Sequence, residues 1–146
     1  MTIYSVDDFD HNCSIGRLII QAREKLLGHL NERLASLDLT AAQWGVVVLL
    51  AEDPASSPAD LCRMLDYDHG AMTRLLKRME KKGIVMRSRH AGDRRSFSIE
   101  LTDRAKALFS RILPIVVDVY NRQLDGMTKE EVNKLQSLLQ QMLRNG

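Results

Sequence analysis

Residues 57–83, "SPADLCRMLDYDHGAMTRLLKRMEKKG", hold two short helices with almost nothing between them, which few folds accept. Ser57 suits an N-cap, Pro58 the first helical position and Asp60 the first turn. Leu61, Met64 and Leu65 are expected on the apolar side of this first helix, and "DYD" (66–68) turns the chain. Asp68 can cap a second helix that runs to about Lys82, where Gly83 offers a left-handed stop. "IVMRSR" and "RSFSIEL" then read as strands around the turn "HAGD". Phe97, Ile99 and Leu101 alternate with Ser96, Ser98 and Glu100, the period of a half-buried strand.

Two helices across a tight turn, followed by a two-stranded hairpin, make a winged helix–turn–helix. The flanks are helical. Ile15, Leu18, Ile19, Ala22, Leu26, Leu27, Leu30 and Leu34 recur at helical spacing over 14–37. Thr40 with Gln43 forms a capping box for a helix through Val46–Leu50. Thr102 can cap a long helix from Asp103 to about Leu124, with Pro114 inside it and Gly126 ending it. Thr128 with Glu131 opens a last helix carrying Val132, Leu135, Leu138, Leu139, Met142 and Leu143. The expected fold class is mainly α with a small β-hairpin: a winged helix–turn–helix lobe at 38–102, and helices at 1–37 and 103–146.

Charge is concentrated within this frame. Residues 74–95 hold nine cations (Arg74, Lys77, Arg78, Lys81, Lys82, Arg87, Arg89, Arg94, Arg95) against Glu80 and Asp93, a net of +7. The whole chain carries +2, so the remainder sums to −5. A solvated helix and hairpin would account for this, and so would a surface built for a polyanion. Stepping about 100° per residue separates a Met72, Leu75, Leu76, Met79 face from one with Thr73, Arg74, Lys77, Arg78 and Lys81. Cations four residues apart repel on a helix, and DNA phosphates would relieve that. In such motifs the start of the second helix reads base edges. Here it offers His69, Gly70 and Ala71, small or polar, then Thr73 and Arg74, the latter suited to guanine. Contact by Arg74 with phosphate alone is the other reading.

Catalysis finds no support. His11, His29, His69 and His90 are scattered, and no Cys/His cluster has zinc-ligand spacing. "HAGD" is no phosphate-cradling loop, and Ser56-Ser57 lacks a nucleophile-elbow context. Asp7, Asp8 and Asp10 read as a solvated acidic start. No catalytic residue, metal or cofactor is expected. No apolar run reaches 18 residues, and the N-terminus lacks a signal-peptide pattern, so a cytoplasmic, nucleoid-associated protein without membrane contact is expected. Cys13 and Cys62 are read as free thiols.

"LDLTAAQWGVVVLL" and "DHGAMTRLLKRMEKKGIVMRSRHAGDRRSFSIELTDRAKAL" together resemble the MarR family of transcriptional regulators, the multiple-antibiotic-resistance repressor type. Asp93 and Arg95 match the family's Asp-x-Arg in the wing, and Leu101-Thr102 its Leu-Thr before the long helix. The resemblance implies a homodimer with interlocked terminal helices, bound to double-stranded DNA at an inverted-repeat operator and acting as a repressor. Each wing would lie along the minor groove, with Arg95 in it and Arg94 on phosphate or solvent. The DNA-facing set becomes Ser57, Asp68, His69, Gly70, Ala71, Thr73, Arg74, Lys77, Arg78, Arg87, Arg89, Asp93, Arg94 and Arg95. Apolar residues in excess of a small lobe's needs point to the dimer interface: Ile3, Tyr4, Val6 and Phe9, then Leu124, Val132, Leu135, Leu139, Met142 and Leu143.

Release by a small aromatic carboxylate or phenolic effector is also implied, with a site between lobe and dimerisation helices. By position its candidates are His11, Ser14, Arg17, Trp44 and Tyr67. Arg17 would pair a carboxylate and Trp44 would stack on a ring. Another branch of the family senses peroxide through a first-helix cysteine. Its position falls on Gly16 here, about one turn after Cys13, and Ile20 stands where that branch has tyrosine. An architectural winged helix without sequence choice, and a thiol-oxidation sensor, remain the alternatives.

Overall fold

Each α-helix starts on a side chain that accepts a hydrogen bond from its own first turn. In the computed structural model, which describes residues 2–54, 56–89 and 97–146, these caps are Ser14, Thr40, Ser57, Asp68, Thr102 and Thr128. Each occupies one of the N–H groups a helix leaves without a partner. They open α1 (Ile15–Leu34), α2 (Ala41–Glu52), α3 (Pro58–Leu65), α4 (His69–Lys81), α5 (Asp103–Gln123) and α6 (Lys129–Asn145). The expected boxes at Thr40–Gln43 and Thr128–Glu131 are formed, and Ser57–Asp60 forms a third.

A short 3-10 turn, Ala35–Leu37, ends the first helix earlier than its apolar spacing predicts. Asp38 (φ 56°) and Asp66 (φ 49°) then take left-handed backbone, a conformation open to aspartate at low cost but easily missed in a sequence. Gly83 (φ 70°) is left-handed as expected.

β1 (Val85–Arg89) and β2 (Phe97–Leu101) pair antiparallel from Val85 opposite Leu101 to Arg89 opposite Phe97. The alternation expected for β2 breaks at Ser98, which is buried. Its hydroxyl donates to the Ser88 carbonyl at 3.3 Å. On the far edge of β2 the Ile99 N–H donates to the Ser56 carbonyl at 2.8 Å, so this strand is interior rather than half-exposed.

Met72, Leu75, Leu76 and Met79 of α4 are buried, as the face analysis requires. They share one core with Leu61 and Cys62 of α3, Val46, Val47 and Leu50 of α2, and Ile84, Val85, Ile99 and Leu101 of the hairpin. Leu30 and Leu34 of α1 and Ile112, Val116 and Val119 of α5 join the same core. Met64 does not. It is 47 % exposed, because α3 turns Cys62 inward instead. The N-terminal half of α1 and all of α6 present no buried apolar side chain. Among the described residues, no single helix is long and apolar enough to cross a membrane.

Candidate nucleic-acid interface

α4 meets solvent along one side. Asp66 reverses the chain after α3, and the Asp68 carboxylate accepts from the Ala71 N–H at 2.9 Å. Burial of the Met72, Leu75, Leu76, Met79 face leaves His69, Gly70, Thr73, Arg74, Lys77, Arg78 and Lys81 exposed. Among the described residues, none of those last four cations has a carboxylate within 4 Å. Gly70 matters for the space above the first turn. A Cβ there would stand 3.2 Å from the Asp68 carboxylate and 3.4 Å from Arg74 Nη1. The bare glycine therefore lets that guanidinium fold back beside the helix start.

Several expected DNA-facing groups are already committed. The Ser57 hydroxyl donates to Asp60 Oδ2 at 2.7 Å and accepts from the Asp60 N–H at 3.1 Å, so it serves α3. Asp68 is likewise a cap. The Thr73 hydroxyl donates to the His69 carbonyl at 2.9 Å. Arg87 is pinned: its Nε lies 2.6 Å from Glu80 Oε1 on α4, and its guanidinium lies 4.6 Å from the ring centre of Phe97 on β2. Lys82 turns away from this surface, donating to the Asp38 carbonyl at 2.6 Å and to Gln43 Oε1 at 3.3 Å. Arg89 is exposed. The turn "HAGD" with Asp93, Arg94 and Arg95 lies outside the described residues.

The five expected effector residues do not converge within one chain. His11, Ser14 and Arg17 line one shallow hollow with Ile20, Gln21 and Glu24. Ser14 is occupied there, donating to the His11 carbonyl and capping α1. Trp44 is only 7 % exposed, its ring centre 5.5 Å from that of Phe109, so it packs the core and offers no open face for stacking. Tyr67 is half-buried against the core. A larger hollow of about 800 Å³, which the sequence did not suggest, opens between the end of α2, the base of the hairpin and the first turns of α5. Leu50, Met86, Leu101 and Phe109 line it, with Glu100, Asp103 and Lys106 as its charged groups.

The MarR family pattern matches residues 37–96. Over 138 residues the chain is 33% identical to the multiple antibiotic resistance protein MarR of Escherichia coli, covering 94% of this chain and 96% of that one. The chain belongs to the MarR family. It is also 30% identical over 128 residues to the homoprotocatechuate degradative operon repressor of Escherichia coli, covering 88% of this chain and 86% of that one. A crystal structure of a mutant MarR of Escherichia coli complexed with operator DNA superposes with a TM-score of 0.83 at 33% identity, over 94% of this chain and 99% of that one. MarR-family members are regulators of transcription and not enzymes, and the winged helix–turn–helix found here is their fold.

The residues expected at a MarR-type dimer interface are open in the single chain. Ile3 (86 %), Tyr4, Val6 and Phe9 are exposed near the N-terminus, and Leu135, Leu139, Met142 and Leu143 (82 %) on α6. Leu124 and Val132 are half-buried. Ile15 and Leu18 on α1 and Leu113, Val117 and Tyr120 on α5 extend this surface, though the sequence reading did not assign them to it. Helical spacing placed Ile15 and Leu18 on a core stripe, and nothing in one chain's periodicity distinguishes core from partner. The two thiols differ. Cys13 is exposed, whereas burial pushes the Cys62 thiol up and makes it a poor nucleophile.

Proposed function

We propose that this protein is a sequence-specific, DNA-binding repressor that acts as a homodimer on an inverted-repeat operator. One observation carries the reading: α4 buries its apolar face completely and turns four unpaired cations outward. Such a face is self-repelling until phosphates neutralise it. Arg74, near the helix start, is the base-reading residue. Lys77, Arg78 and Lys81 face phosphate, joined by Arg89 and, by family resemblance, by Arg94 and Arg95 in the wing. In the operator complex of the MarR relative the same fold is bound to DNA. Residues 38–102 form the DNA-binding lobe, and 1–37 with 103–146 the dimerisation part. Action on DNA places the protein in the cytoplasm, on the nucleoid.

The effector we infer is a small aromatic or phenolic acid. The naming of one relative for a homoprotocatechuate degradative operon supports that class. A ligand that favours a DNA-incompetent spacing of the two lobes would release both half-sites together.

Salt titrations on operator and random duplexes test the first part. A repressor keeps a specificity ratio of roughly 10³ or more, and an architectural protein does not. Calorimetry with a panel of aromatic carboxylates on wild type, Arg17→Ala and Lys106→Ala tests the second. Loss in one variant identifies the hollow used, and no binding to wild type removes the effector.

A further inference from the structure

Lys25, His29 and Arg33 stand four residues apart on α1, a single stripe facing α5. Between that stripe and Arg122 and Gln123 lies a hollow of about 520 Å³, with Val119 as its apolar floor and Glu32 as the carboxylate on its lining. Behind it, Asp118 Oδ2 lies 3.2 Å from Arg33 Nη2 and 3.0 Å from Arg122 Nε. One carboxylate oxygen thus orients two guanidiniums toward the same space. Each guanidinium carries five N–H donors. Among the described residues, the Arg33 and Arg122 side chains have no contact with a carboxylate within 4 Å except this one, and Lys25 has none. Donors outnumber acceptors, and three permanent cations face two carboxylates.

We propose that this hollow binds a compact anion bearing at least two negative groups, carboxylate or phosphate. Guanidinium forks match the paired oxygens of either group, and Lys25 supplies a point charge to the second. The lining holds no aromatic ring and one apolar side chain, so it does not suit the aromatic effector. It shares no residue with α4 or the hairpin, so occupancy here is separate from DNA contact.

The test is calorimetric titration of the protein with pyrophosphate and, separately, citrate, at an ionic strength held constant with sodium chloride. Wild type is compared with Lys25→Gln, Arg122→Gln and Lys77→Ala. Binding of at least one anion is expected, weakened roughly tenfold or more in each of the first two variants, as loss of a charged hydrogen bond predicts, and unchanged in Lys77→Ala. Arg122→Gln also disturbs Asp118, so Lys25→Gln, which breaks no ion pair, carries the result, with circular dichroism confirming its fold. Three outcomes overturn the proposal. Neither anion binds. Binding disappears in Lys77→Ala but survives in Lys25→Gln, placing the anions on the DNA face. Binding weakens as protein concentration rises, meaning that a second copy of the chain fills the hollow.

Discussion

Asp60 makes the start of α3 sensitive to acid. The Ser57 hydroxyl, then the Ser57 N–H, then Arg63 hold its carboxyl below the usual carboxylate range. A carboxylate depressed in the folded state stabilises the fold fully above its unfolded pKa, and that contribution disappears as pH falls through the lower folded value. The urea midpoint should therefore decline as pH drops below about 4, and Asp60→Asn should flatten that decline. Identical pH profiles for the two proteins would contradict the assignment. On the next helix, neighbouring cations divide the work. Lys77→Ala should weaken binding uniformly across sequences and lower the salt slope by about 1. Arg74→Ala should cost about 1–3 kcal/mol and relax preference at one base position, read by binding to single-base operator variants. Equal loss on every variant would leave Arg74 a phosphate contact.

The helix–turn–helix and the wing are two elements that must hold one angle to fit adjacent grooves, and Arg87 links them. It pairs with Glu80 on α4 and lies over Phe97 on β2. Arg87→Ala should weaken operator binding roughly threefold to tenfold, the range of one exposed ion pair plus one cation–π contact, with the salt slope unchanged. Glu80→Gln should produce a similar loss, and the double variant little more than either alone. A slope lower by about 1 in Arg87→Ala would mean that Arg87 touches phosphate directly. This linkage also explains what the sequence could convey. Caps, stops and the two faces of α4 were legible because each depends on neighbours within a few residues. Arg87 read as one more cation in a basic run because its partners lie across a turn. Glu80, the one acid among the cations of α4, was the available signal. Trp44 failed as a ligand residue for a related reason: an aromatic at helical spacing says nothing of the Phe109 that covers it, 65 positions later. The left-handed backbone of Asp38 and Asp66 depends on tertiary context that a single sequence withholds.

At the scale of the molecule, the core binds the lobe to α1 and α5 but leaves α6 outside. No residue of Lys129–Asn145 is buried, yet Leu135, Leu138, Leu139, Met142 and Leu143 are apolar and open to solvent. Such a helix gains little from its own chain, since most helical stability in proteins comes from packing an apolar face. A second copy would cover it together with Leu113, Val117 and Tyr120 of α5. Leu135→Glu with Leu139→Glu separates this from a local role. Because neither side chain belongs to the core, the winged lobe should keep its fold and melting behaviour, while sedimentation at micromolar concentration should shift from dimer to monomer. DNA binding should then fall by roughly 10²–10⁴-fold, the advantage that linking two binding events confers, and the salt slope should drop by about half because one recognition surface remains. A monomer that bound operator as tightly as wild type would mean that one lobe reads the whole site and that α6 serves some other contact. A wild-type protein already monomeric at that concentration would remove the dimer before any DNA was added.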